Sequence, residues 1–124
     1  MKEKYKFRKF QERPENLKED IQIRIEKIEQ EFLNIKNELA KFIEEINYPT
    51  DISEEAEKKR RKRAEEYHKF LNRTKKEIKD LEGLVVFIED STTKNTIINR
   101  ITNLENEVDY FFQPLIRYFA RKTS

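Results

Sequence analysis

The chain contains no cysteine and no tryptophan, one glycine, one histidine and three prolines. Without cysteine it has no disulfide, no thiol nucleophile and no thiolate-held metal. Gly83 stands alone, which excludes a glycine-rich phosphate loop and a dinucleotide fingerprint. So few turn residues argue against a sheet of many short strands. His68 alone cannot build a multi-histidine metal centre. The longest apolar run, Leu84–Ile88, is far too short to cross a bilayer. The first residues, MKEKYKFRKF, have no apolar signal core. No membrane association, no metal and no cofactor are therefore expected, and the expected location is cytoplasmic.

Charge is what the chain has most of. Lys and Arg number 27 against 25 Asp and Glu, so 42% of residues are charged yet the net is only +2. Balanced signs suit solvated helix faces better than a self-repelling tail. Leu, Ile, Val and Phe supply 34 of the 124 residues, enough for one modest core.

The apolar residues fall into three heptad seams. The first runs Ile21, Ile25, Ile28, Phe32, Ile35, Leu39, Phe42, Ile46, in alternating steps of four and three. Pro14 suits the first turn of this helix, and Pro49 stops it near Asn47. The second runs Ala64, Tyr67, Leu71, Thr74, Ile78, Leu81, Val85, Ile88, with Asp51 or Ser53 as its cap. Gly83, inside this seam, marks a bend or a close approach of a neighbour. Asp90–Thr93 supplies capping residues for the third, which runs Ile97, Ile101, Leu104, Val108, Phe111, Leu115, Tyr118. Pro114 is expected to kink or split that helix. Short connections make consecutive helices antiparallel. The expected fold is all-α: an antiparallel three-helix bundle of long, coiled-coil-like helices over residues 14–122, preceded by a basic N-terminal arm at 1–13. Residues 1–13 carry six Lys or Arg against two Glu, with Tyr5, Phe7 and Phe10 interleaved.

The densest chemical feature is Lys58, Lys59, Arg60, Arg61, Lys62, Arg63. Six adjacent cations near a helix N-terminus oppose the macrodipole and one another. Helix stability does not explain them, whereas an anionic partner does, above all a phosphate backbone. Up-down-up topology brings Arg117, Arg121 and Lys122 to the same end, so these nine cations form the candidate nucleic-acid site, for DNA or RNA. The alternative is a solvated face compensated by Glu44, Glu45, Glu54, Glu55 and Glu57. Arg60, Arg61 and Arg63 are expected at the surface.

Arg63 and His68 have the R-x4-H spacing that resembles the HEPN ribonucleases, which are small, dimeric and all-α; Arg61 fits the same motif with two more residues between. That resemblance would imply a ribonuclease pair of Arg and His. This sequence departs from the family pattern, because its match lies inside the second helix while the family's motif begins a late one. Six cations before the only histidine also make a match nearly unavoidable. No catalytic residue is assigned. The third helix is aromatic, and Phe112, Ile116 and Phe119 lie beside its seam, so they are candidates for a homodimer or partner interface. The function expected is a non-catalytic subunit binding nucleic-acid phosphates or assembling a nucleoprotein complex. The rival is a protein–protein adaptor or dimerisation module with no nucleic-acid role.

Overall fold

The computed structural model describes residues 14–123, with side chains described over 16–121. The basic arm at 1–13 lies outside the described residues. Three helices follow in order: α1 (Pro14–Asn47), α2 (Glu54–Val85) and α3 (Ser91–Thr123). Each is about 50 Å long at 1.5 Å per residue. Every pair of helices is in contact, and the fold is an antiparallel three-helix bundle.

Side-chain contacts fix the helix directions. Phe42 of α1 packs on Tyr67 of α2 with ring centroids 5.1 Å apart, and Glu45 pairs with Arg63. Numbers rise on one helix as they fall on the other, so α1 and α2 are antiparallel. Tyr118 of α3 reaches Glu57 of α2, while Asp109 pairs with Lys75, the same antiparallel order. Between α1 and α3 the order is parallel: Glu29 meets Arg100 and Lys36 meets Glu107.

The seams are the core. One buried cluster runs through all three helices and includes Ile21, Phe32, Leu39, Leu71, Ile78, Ile97 and Leu115. Full burial of one such side chain stabilises by about 1.5–3 kcal/mol, so the cluster dominates folding. Leu17, one step of four before the first seam, is buried as well. Thr74 keeps its seam position by donating its hydroxyl to the Phe70 carbonyl at 2.9 Å.

Ser53 caps α2, its Oγ accepting the Ala56 N–H at 3.2 Å, while Asp51 Oδ1 accepts the Ser53 N–H at 2.9 Å. Hydrogen bonds from the Ser53 backbone and side chain hold the Asp51 carboxyl below its ordinary range. At the start of α3, Asp90 accepts the Thr93 hydroxyl and the Thr93 N–H, which lowers its pKa in the same way. The second seam outlasts its helix: Ile88 is buried although α2 ends at Val85, because two three-residue backbone bonds tighten the chain there.

Two expectations are narrowed. Gly83 does not mark a close approach, since a Cβ there would meet nothing within 4 Å. Pro114 does not split α3, which continues to Thr123. The missing N–H deprives only the Tyr110 carbonyl, and Tyr110 is exposed, so water can take over that bond.

Candidate nucleic-acid interface

The cap at Ser53 and three acids in the first turn, Glu54, Glu55 and Glu57, fix where α2 begins. They suit the positive end of its dipole and place the six cations in the turns that follow. Six consecutive helical residues sweep more than a full turn, so they cannot share one face. The structure divides them.

Arg60 turns inward and is only 5% exposed, contrary to the expectation that it lies at the surface with Arg61 and Arg63. Its Nη2 donates to Glu57 Oε2 at 2.8 Å, and the Tyr118 hydroxyl donates to Glu57 Oε1 at 2.6 Å. Burial and the bond to Glu57 push the Tyr118 phenol up to about 12. The carboxylate thus ties the start of α2 to the end of α3. The physical reason for the correction is phase. Arg60 stands four residues before Ala64, one step upstream on the core seam.

Arg63 faces α1. Its guanidinium lies over the Phe42 ring at 4.6 Å from the centroid and reaches Glu45 at 3.5 Å. Lys59 approaches Glu55 at 3.9 Å, both well exposed, a pair of little energetic weight. Lys58, Arg61 and Lys62 remain outward and form no ion pair with another described residue.

The outward surface continues beyond the run. Lys69, Arg73 and Lys76 are exposed on the same side of α2 and pair with no described acid. The sequence carried a signal for them. Lys62, Lys69 and Lys76 are seven residues apart, each two positions before a buried seam residue: Ala64, Leu71 and Ile78. The repeat that buries one side of α2 aligns cations on the other. By contrast Lys75, at the edge of the core, pairs with Asp109 at 2.8 Å and lies over Phe112 at 4.5 Å.

At the end of α3, Arg121 lines a depression shared with Asn47, Glu57, Arg60 and Tyr118, so the third helix does end beside the start of the second. Arg117 is exposed one residue before Tyr118. The Lys122 side chain lies outside the described residues.

Of the three apolar candidates on α3, Phe112 is core: it is 7% exposed and its ring stacks on His68 with centroids 5.0 Å apart. Phe111 points to α1 instead, edge-on to Phe32 at 5.7 Å. A helix facing two partners needs a wide apolar face, and that width is what the aromatic crowding supplies. Phe119 also packs against the core and meets His68 edge-on at 5.6 Å, while Ile116 is 41% exposed.

His68 therefore faces α3 and Arg63 faces α1, so the R-x4-H spacing does not bring them together. Arg61 stands two helical turns from His68, about 10 Å along the axis. Among the described residues no cluster of three or more His, Asp or Glu could hold a metal ion, and no helix is long and apolar enough to cross a membrane. Comparison with protein-family models, with curated proteins and with solved structures finds no match to this chain.

Proposed function

We propose that this chain is a non-catalytic helical-bundle subunit that binds nucleic-acid phosphates, by itself or within a nucleoprotein assembly, through the outward cations of α2. One observation carries the proposal. Lys36, Arg60, Arg63, Lys75 and Arg100 have acidic partners, whereas Lys58, Arg61, Lys62, Lys69 and Lys76 project from α2 with none among the described residues. Lys58, Arg61 and Lys62 crowd the second and third turns of α2, where an external anion relieves their mutual repulsion. Phosphate contacts of this kind are insensitive to sequence, because lysines act as point charges on the backbone. A cytoplasmic location belongs to this reading.

The test is a binding titration with mixed-sequence DNA and RNA across salt concentrations. Affinity should depend little on sequence and fall steeply with salt, as phosphate contact releases counterions. Absence of binding at low salt would overturn the proposal.

The rival, an adaptor or dimerisation module working through Phe112, Ile116 and Phe119, has less support. Phe112 is in the core and Phe119 packs against it, which leaves Ile116 as the exposed member.

A further inference from the structure

The outward cations of α2 form two groups. Lys58, Arg61 and Lys62 lie on one side of Glu65 and Glu66; Lys69, Arg73 and Lys76 lie on the other, and all eight residues are exposed. At 1.5 Å per residue, the inner cations Lys62 and Lys69 are about 10 Å apart along the axis and the outer Lys58 and Lys76 about 27 Å. Neither Glu65 nor Glu66 forms an ion pair with a described residue.

A single strand running lengthwise along this face would carry its phosphates across the two carboxylates, which repel them. Two phosphate strands crossing the helix, one at each cation group, avoid that contact. The major groove of B-form DNA is about 12 Å wide and the minor groove about 6 Å. The separation of the two groups brackets the wider groove and exceeds the narrower one. Carboxylates over a major groove lie away from the phosphates that repel them. The same face lacks a stacking platform for unpaired bases: Tyr67 is buried, and His68 and Phe70 are half-buried. The major groove of A-form RNA is deep and narrow and does not match this spacing.

Resting on the nucleic-acid reading above, we infer that α2 binds duplex DNA across its major groove. Lys58, Arg61 and Lys62 engage one phosphate strand, and Lys69, Arg73 and Lys76 engage the other. Glu65 and Glu66 lie between the strands.

The experiment compares a short duplex DNA, the single-stranded DNA of the same length and the matching duplex RNA at one salt concentration. Single strands and duplex RNA should bind about tenfold more weakly than duplex DNA. Replacing either cation group by Gln should flatten the duplex salt slope by up to about three units. Glu65→Lys with Glu66→Lys should raise single-strand affinity most, because it joins the two groups into one stripe. Circular dichroism checks that each variant stays folded, as these exposed side chains predict. Equal affinity for single-stranded DNA or for duplex RNA, or a slope indifferent to one cation group, would overturn the inference while leaving nucleic-acid binding in place. Failure to bind any nucleic acid would remove both.

Discussion

Arg60 and Arg61 are neighbours of identical chemistry with opposite environments. Arg60 is 5% exposed and bonded to Glu57, which also accepts the Tyr118 hydroxyl; Arg61 is exposed. Removing Arg60 takes a charge-assisted hydrogen bond from a part-buried carboxylate, so Arg60→Gln should cost about 1.5–3 kcal/mol. Arg61→Gln should change stability by less than about 0.5 kcal/mol. Urea unfolding of the two variants checks this, and equal costs would show that Arg60 is not structurally held. Glu105 offers a second test. Burial and the nearby Glu82 raise its carboxyl above the ordinary value of 4.5. A carboxyl raised in the folded state favours the fold fully below its unfolded pKa and ceases to do so as pH rises through its folded pKa. Glu105→Gln should therefore stabilise by about 0.5 kcal/mol at neutral pH and lose that advantage below pH 4.5. Thermal unfolding at the two pH values measures the difference; an advantage that persists in acid would assign it to packing.

Each helix owes its place to a repeat that the sequence displays openly. Ile21 to Ile46, Ala64 to Val85 and Ile97 to Tyr118 are core lines, and only their phase at single steps was hidden. Val108 can be followed after three residues by Phe111 or after four by Phe112, and both continue the heptad into Leu115. Periodicity cannot choose between two phenylalanines. The choice depends on where His68 and Phe32 stand on the other helices. Arg60 was hidden for a different reason: a charge on a seam position reads as surface until Glu57 and Tyr118 are seen beside it. The outward lysines at 62, 69 and 76 were masked by the denser run before them. Gly83 is an element-scale weakness, exposed within α2 with open space where a Cβ would stand. Gly83→Ala should raise stability by about 0.5–1 kcal/mol through helix propensity and a less disordered unfolded chain. Urea unfolding checks this, and a loss of stability would mean that the backbone there needs glycine.

On the scale of the molecule, charge is sorted by helix. α1 carries nine acids against five bases over residues 14–47, and α2 carries the cation run. Acids and bases meet across the helix interfaces at Lys36–Glu107, Arg63–Glu45, Lys75–Asp109 and Arg100–Glu29. The outer face of α2 carries Lys58, Arg61, Lys62, Lys69, Arg73 and Lys76 around Glu65 and Glu66. The central claim is that one run of six cations divides between holding the bundle together and contacting phosphate. The salt dependence of DNA affinity, measured side by side for the wild type, Arg60→Gln and the Lys58→Gln, Arg61→Gln, Lys62→Gln variant, tests it most directly. Under conditions where all three are folded, Arg60→Gln should keep the wild-type slope, while the triple variant should be flatter by roughly one unit for each phosphate it no longer engages. Parallel slopes for all three proteins, or a wild type that binds no DNA at low salt, would contradict it.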